Sequence, residues 1–241
     1  MVVSSIKKEL KKLSSKERTK SNAWFFKTGK GEYGEGDIFI GVTVPNVRKV
    51  VKSFLEETKL EDAVSLLQSK YHEERLAGCI FLVELFKKSE KEKNEKAKET
   101  IYKIYLKNTN KINNWDLVDV SSKDIVGNYL FNRDRKILFK LAKSKNLWER
   151  RIAIVSTWYF IRKGDYKDTF ALCELLINDK EDLLHKACGW MLREVGKFCG
   201  VETLNIFLEK NGSAMPRTTL RYAIERHHPV HRAKILAGYI N

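Results

Sequence analysis

Apolar residues recur along this 241-residue chain at intervals of three and four positions, whereas the strict alternation typical of a β-strand is scarce. Such intervals are typical of a helix with one buried face, because a helical turn takes about 3.6 residues. The chain contains three prolines, so few positions force a helix to stop. The pattern predicts helices over residues 3–13, 16–27, 45–57, 61–69, 72–88, 93–107, 114–130, 134–144, 147–162, 166–177, 181–198, 201–210 and 216–227.

The predicted helices are short and come in pairs, and three of the second helices begin with related sequences. Residues 71–77 (YHEERLA) resemble residues 147–153 (LWERRIA), and residues 184–188 (LHKAC) are a weaker third copy. The copies are spaced by about 35–38 residues per repeat, a length typical of stacked helix pairs. The sequence therefore predicts an all-α fold in which HEAT-like helical repeats stack into a curved α-solenoid with a basic concave face, as a single domain over residues 1–241.

A basic residue occupies the matching position of each copy, namely Arg75, Arg151 and Lys186. Stacked repeats place equivalent positions in a row, so these side chains are candidates for a line of cations along one face. The alternative is that each one only caps or braces its own repeat. Repetition alone leaves both interpretations open.

The charge of the chain is strongly basic. Lysine and arginine outnumber aspartate and glutamate by 46 to 31, which gives a formal net charge of +15. The excess is concentrated in residues 1–30, with nine basic and two acidic residues, and in residues 131–151, with eight and two. Such an excess suits a polyanionic partner, either nucleic acid or an anionic membrane surface, although an inert solubilising surface is the plainer alternative.

Composition also argues against several classes of protein. Residues 1–12 are basic without the apolar stretch of a signal peptide, and no segment approaches the roughly 18 apolar residues of a membrane span. We therefore expect a cytoplasmic protein. No Cys-x-x-Cys pair occurs, and buried reduced thiols are expected at the four cysteines, Cys79, Cys173, Cys188 and Cys199.

Two further segments are weak candidates for chemistry. The glycine-rich residues 27–36 lack both the Gly-Lys-Ser/Thr ending of a phosphate-binding loop and a preceding strand, which favours a turn or a DNA-backbone contact over a nucleotide site. The histidines at 227, 228 and 231 have no acidic partner at metalloprotease spacing. A serine or cysteine hydrolase is not indicated, because the sequence shows no nucleophile-elbow motif and no residue that can be assigned as the general base. We expect neither a metal nor a cofactor.

The densest group of chemically useful side chains lies around residues 113–119 (NNWDLVD). Trp115 and Asp119 are four residues apart and share a helix face. Asp116 follows Asn113 by three residues, the spacing of a capping carboxylate, so a structural role is expected for it. Capping does not explain Asp119, for which catalysis and an ordinary solvated or ion-paired carboxylate both remain open.

Tryptophan at helical spacing is more often part of a core than a ligand platform. That caution applies to Trp190, whose helix carries other apolar residues, and it extends to Trp24, Trp148 and Trp158.

Taken together, the motifs resemble the AlkD family of HEAT-like repeat DNA glycosylases, a group of alkylation repair proteins. Residues 115–119 (WDLVD) resemble its tryptophan-plus-aspartate motif, residues 148–151 (WERR) its Trp-x-x-Arg motif, and residues 186–194 (KACGWMLRE) its Gly-Trp-x-Leu-Arg-Glu motif. The match extends over about residues 20–227. Signatures of a broader branch of the family resemble residues 26–29, 35–37, 41–48 and 216–225.

The resemblance implies excision of cationic alkylated purines, such as 3-methyladenine and 7-methylguanine, from double-stranded DNA by a monomeric, monofunctional glycosylase of base excision repair. On that basis the catalytic residues are Asp119, Trp115 and Trp190. Asp119 would stabilise an oxocarbenium-like sugar, and the two tryptophans would wall the damaged nucleotide. Arg151 would hold a backbone phosphate, and the other implied DNA-binding residues are Lys186, Arg75 and Phe25.

The chain departs from some active relatives at two positions. Asn114 precedes Trp115 where some relatives have a second aromatic residue, and Phe25 lies near where some have a tyrosine. Both departures concern the polarity of the pocket. Two other functions stay open: a non-catalytic scaffold that binds damaged or branched DNA, and a solenoid that binds protein partners.

Overall fold

The computed structural model describes residues 2–238. Within that range the chain is helical, and its one extended pairing is an isolated bridge between Ile38 and Tyr71. The helices are α1 Val2–Lys12, α2 Lys16–Phe25, α3 Val44–Phe54, α4 Leu60–Leu67, α5 His72–Lys91, α6 Glu95–Lys107, α7 Trp115–Ser122, α8 Asn128–Leu130, α9 Lys136–Ala142, α10 Leu147–Ser156, α11 Trp158–Ile161, α12 Lys167–Leu175, α13 Asp182–Phe198, α14 Val201–Asn211, α15 Arg217–Ala223 and α16 Pro229–Leu236.

The chain divides into two compact units at residues 125 and 126. In the first unit α5 is the central helix, with α3, α4, α6 and α7 packed against it. Buried residues run around most of the circumference of α5, including Leu76, Ile80 and Phe81. A helix that is buried on nearly all sides belongs to the interior of its unit.

In the second unit α13 has the equivalent central position and contacts α10, α11, α12, α14 and α15. Its closest neighbour is α15, and Gly189 allows that approach. A Cβ atom at Gly189 would lie 2.5 Å from the Cβ of Tyr222 and 2.6 Å from the carbonyl oxygen of Thr219. Any side chain at Gly189 would therefore push the two helices apart.

The all-α prediction is confirmed. Helix pairs recur as predicted, with α4 on α5, α9 on α10, and α12 on α13. Arg75, Arg151 and Lys186 each lie in the first two turns of the second helix of a pair. The three short sequence copies therefore do mark equivalent places in three separate helix pairs. That the whole of residues 1–241 acts as one functional domain stays a prediction.

Beyond small differences in their ends, the observed helices depart from the predicted ones in three places. The helix predicted over residues 114–130 is interrupted by a π-helical turn at Lys123–Gly127, and the one predicted over 147–162 breaks at Thr157. The hydroxyl of Thr157 donates to the carbonyl oxygen of Ile154 at 2.7 Å, which offers the backbone an alternative partner at the break. The C-terminal helix α16 lies beyond the last predicted helix, which ends at residue 227.

The core prediction was correct for one tryptophan and wrong for another. Trp148 is buried at 7% relative exposure, whereas Trp24 is 82% exposed. Cys79, Cys173 and Cys188 are buried free thiols, and Cys199 is half-buried. Among residues 2–238, no helix is both long and apolar enough to cross a membrane.

Candidate active site

Helix α7 carries both Trp115 and Asp119, one turn apart, and both side chains are half-buried. The helix begins one residue later than expected, because its N-cap is Asn114 and not Asn113. The side-chain oxygen of Asn114 accepts a hydrogen bond from the backbone N–H of Trp115 at 2.9 Å. Trp115 is therefore fixed at the first helical position, and Asp119 follows on the same face.

Phenylalanine rings from the end of α2 and the residue after it hold the indole of Trp115. Phe26 stacks on Trp115 with ring centroids 5.1 Å apart and planes 12° apart. Phe25 meets the same indole edge-on at 5.9 Å. Phe26 also stacks on Phe39, with ring centroids 4.8 Å apart. The orientation of Trp115 is thus set by a continuous aromatic cluster that also includes the exposed ring of Phe25.

A buried network of charged groups lies beneath this cluster. The imidazole of His72, at the start of α5, bridges two carboxylates: Nδ1 is 2.7 Å from Asp37 Oδ2, and Nε2 is 2.8 Å from Asp116 Oδ2. The guanidinium of Arg75 donates to Asp37 Oδ1 at 2.6 Å. The side-chain amide of Asn114 donates to Asp37 Oδ2 at 3.1 Å. The network joins α5, α7 and the segment before α3 at the first turn of α7.

The pKa values of this network show which groups are charged. Burial alone would lower the pKa of His72, but the charge and hydrogen bond of Asp116, reinforced by Asp37, raise it to about 9. Burial would likewise raise the pKa of Asp37, but the hydrogen bond and charge of His72 and the charge of Arg75 lower it to about 2. At neutral pH, His72 is therefore an imidazolium between two carboxylates, and both of its ring N–H groups donate.

Glu73, the neighbour of His72 on α5, organises the adjacent backbone. Its carboxylate accepts hydrogen bonds from the backbone N–H groups of Ile40 at 2.9 Å, Gly41 at 2.8 Å and Val42 at 3.1 Å. Glu73, His72 and Phe26 border a small cavity of about 160 Å³. The space is too small for a nucleobase with its sugar, which favours a supporting role for these residues over a base-binding one.

Two arginines expected to bind DNA are buried and already bonded to the protein. Arg75 is bound to Asp37 and also donates to the carbonyl oxygen of Ser69 at 3.1 Å. Arg151 is 5% exposed and donates to the carbonyl oxygen of Leu183 at 2.6 Å. These contacts favour the bracing interpretation for both arginines, and a phosphate contact by either stays a prediction.

Lys186 and Trp190 lie on α13 of the second unit, and both are half-buried. Lys186 pairs with Asp182 one turn earlier, at 2.7 Å, and keeps 41% of its side chain exposed. It borders a cavity of about 610 Å³. The charged residues that line this cavity are Lys186, Arg193, Arg221, Arg232, Asp182 and Glu225.

The glycine-rich segment 27–36 is a self-contained turn. The backbone N–H of Gly29 donates to Glu32 Oε2 at 2.8 Å, and that of Gly31 donates to Glu35 Oε2 at 2.8 Å. Carboxylates of the same segment therefore occupy the amides that a phosphate would need. The structural interpretation of this loop is favoured over a nucleotide or phosphate site.

The sequence did not reveal His72, Asp37 or Phe26 as parts of the site. Asp37 and Phe26 lay within motifs that resemble the repair family, but no spacing linked them to Trp115. Asp116 was given a structural role, and its carboxylate does accept from the backbone N–H of Leu117 at 2.9 Å. Its second bond, to His72, joins residues 44 positions apart and is invisible to local spacing.

Comparisons with known proteins show which family the chain is similar to. A family model described as DNA alkylation repair enzyme matches residues 6–227. One similar solved structure is a predicted DNA alkylation repair enzyme from Enterococcus faecalis, with a TM-score of 0.66 and 16% sequence identity over 90% of this chain and 97% of that one. At that identity the likeness supports the fold alone. No curated protein sequence matches the chain.

Proposed function

Because the chain belongs to the DNA alkylation repair enzyme family, we propose that it is a monofunctional DNA glycosylase that excises cationic alkylated purines of the 3-methyladenine and 7-methylguanine type from duplex DNA. Membership of the family supports a role in DNA repair and an enzymatic activity. The bond broken and the lesions accepted are the proposal.

The observation that carries the proposal is the pairing of Trp115 and Asp119 on one face of α7. An alkylated purine bears a positive charge, so it leaves as a neutral base and needs little protonation. The sugar is left electron-deficient at C1′, and a nearby carboxylate stabilises that developing charge. We assign this electrostatic role to Asp119.

The reaction balances with water as the only co-reactant. The electron pair of the N-glycosidic bond moves to the purine and cancels its positive charge. The oxygen of water forms the new bond to C1′, and Asp119 accepts the proton that the water loses before passing it to solvent. No metal or redox cofactor enters this scheme.

The aromatic cluster supports a role for Trp115 in attracting the cationic base or sugar. An indole face attracts a cation by about 0.5–2 kcal/mol, which favours a cationic base or sugar over its neutral counterpart. The stack with Phe26 prevents the indole from rotating away. Trp190 is assigned the same kind of role and Lys186 a phosphate contact, both on the resemblance of their motifs alone.

The decisive experiment measures release of 7-methylguanine from alkylated duplex DNA under single-turnover conditions. Asp119→Asn removes the charge while keeping the size of the side chain. We expect the rate to fall by about a hundredfold or more, while the Kd for DNA changes little.

The matched control is Asp134→Asn, an exposed aspartate outside the site whose substitution should leave the rate unchanged. Equal release by the Asp119→Asn variant and the wild type would remove the catalytic assignment. Tight, salt-dependent DNA binding with no release by the wild type would instead identify a non-catalytic DNA-binding scaffold.

A further inference from the structure

Helix α2 exposes two adjacent aromatic side chains at its C-terminal end. Trp24 is 82% exposed and Phe25 is 56% exposed. No residue of α2 is buried, so the helix has no core-facing stripe of its own. Most tryptophans in folded proteins bury much of their surface, and an indole left in water is typical of a surface that meets a partner.

The same helix is cationic. Lys16, Arg18 and Lys20 precede the aromatic pair, and Glu17 is the one acidic residue of α2. Within residues 2–238, none of these three cations is ion-paired with an acidic side chain. Their charge is therefore available to an external anion.

Trp24 also forms part of a preformed cleft. With Phe25 and the loop residues Lys27 and Gly29, it borders a cavity of about 560 Å³. The opposite wall is held in place by the hydrogen bond from Gly29 to Glu32. The cleft adjoins the candidate active site, because Phe25 contacts Trp115 at 5.9 Å.

From these observations we propose that α2 is a DNA-docking helix, in which Lys16 and Lys20, which share a helix face with Trp24, bind the phosphate backbone and Trp24 packs against a sugar or base face beside the lesion. The inference rests on the DNA substrate of the proposed function but not on base excision. Nucleic acid supplies both a polyanion and flat apolar faces, the two chemistries that α2 presents.

A membrane is a poorer fit for the same surface. Interfacial helices bury a long apolar face, whereas the apolar residues of α2 are confined to its last three positions, Ala23, Trp24 and Phe25. The aromatic pair is also continuous with the Trp115 cluster, where the damaged nucleotide is proposed to lie.

The test measures the Kd of a fluorescently labelled duplex by anisotropy at several salt concentrations. Trp24→Ala should raise the Kd by about tenfold, the loss expected for one stacking contact. The salt slope should stay unchanged, because no charge is removed. Substituting Lys16 and Lys20 together by glutamine should lower the slope of log Kd against log salt by as much as about two.

The matched control is Ile206→Ala on α14, which removes an apolar side chain that is 64% exposed. This control should bind DNA as the wild type does. Wild-type affinity in the Trp24→Ala variant, with an unchanged circular dichroism spectrum, would overturn the proposal. Binding of the wild type to phosphatidylserine vesicles that is lost in Trp24→Ala would also overturn it, in favour of a membrane surface.

The outcome separates from that of the glycosylase proposal. Weakened DNA binding by Trp24→Ala, combined with unimpaired base release by Asp119→Asn, would leave the docking helix in place and remove the catalytic assignment. Wild-type DNA binding by Trp24→Ala, combined with impaired base release by Asp119→Asn, would remove the docking helix and leave the catalytic assignment in place.

Discussion

His72 Nε2 lies 2.8 Å from Asp116 Oδ2, and this contact fastens the first turn of α7 to the start of α5. Asp116 directly follows Trp115 in the chain. The ion pair therefore holds the backbone at the residue where the candidate active site begins. Because both groups are buried, the pair is poorly screened by solvent, and its loss should be felt in stability as well as in activity.

Replacing the imidazolium should destabilise the first unit. His72→Gln leaves the carboxylates of Asp37 and Asp116 buried without the cation between them. Removing one partner of such a pair typically costs about 3–5 kcal/mol. Urea unfolding followed by circular dichroism measures the loss. A variant as stable as the wild type would show that the ion pair makes no net contribution.

Stability should also fall in mildly alkaline solution. The pKa of His72 is raised from 6.5 to about 9, so its stabilising contribution is complete below pH 6.5 and is lost as the pH rises through about 9. Between those values the folded protein keeps a proton that the unfolded chain has released. The free energy of unfolding should fall by about 1.4 kcal/mol per pH unit over this window.

The measurement is urea unfolding of the wild type and of His72→Gln from pH 6 to pH 10. The decline should be present in the wild type and absent from the variant. Parallel profiles for the two proteins would contradict a charged His72. Asp37 acts in the opposite direction, because its pKa is lowered: its contribution is present above pH 3.8 and is lost as the pH falls through about 2.

Trp115 should affect the chemical step more than the binding of DNA. We expect Trp115→Ala to lower the single-turnover rate of 7-methylguanine release by about tenfold, and Trp115→Phe to lower it less, because a benzene ring retains part of the cation–π attraction. Trp158→Phe, on a half-buried tryptophan of the second unit, is the control. Equal rates for all three variants would remove Trp115 from the mechanism.

Arg75 and Lys186 should behave differently in a salt titration. Lys186→Gln removes an accessible cation and should reduce the salt slope of DNA binding by about one. Arg75→Met removes a buried partner of Asp37, which should lower the free energy of unfolding by about 3–5 kcal/mol and leave the slope unchanged. If the Arg75→Met protein is as stable as the wild type and the salt slope of its DNA binding is reduced, Arg75 contacts DNA.

Gly127 should not accept a side chain. A Cβ atom there would lie 2.3 Å from the carbonyl oxygen of Ser156 and 2.9 Å from the Cβ of Tyr159. Backbone atoms cannot yield as a flexible side chain would, so Gly127→Ala should destabilise the second unit by about 1–3 kcal/mol. The control is Ser213→Ala, at an exposed position. Gly164→Ala would not serve, because φ is positive at Gly164 and alanine would be strained there. Equal unfolding midpoints for the two variants would show that the backbone adapts.

The helices and their pairing could be predicted from the sequence because both depend on local spacing. Leu76 and Ile80, four residues apart on one face, are buried as the pattern requires. The exposure of Trp24 could not be predicted, because the spacing of an apolar residue along a helix does not show whether another helix packs over it. The network of Asp37, His72 and Asp116 could not be predicted for a different reason. Asp37 and His72 are 35 positions apart in the sequence, and no local pattern indicates that residues so far apart are in contact.

The candidate active-site pair was identified by motif resemblance, whereas the contacts that hold it in place are visible only in the structure. The four-residue spacing predicts that Trp115 and Asp119 share a helix face, and the resemblance alone implies their catalytic role. That Phe26 stacks on the indole follows from the path of the loop between α2 and α3, which is bent by its glycines and tied by Glu73. Sequence motifs thus point to the candidate side chains but not to the residues that orient them.

The π-helical turn at Lys123–Gly127 adds one residue to a helical turn directly after the segment that carries Asp119. Each residue of a regular α-helix advances the side-chain direction by about 100°, so an added residue resets the angular phase of everything that follows. The side chains that follow Gly127 therefore point in directions offset from those that an unbroken α-helix continuing from Asp119 would give them.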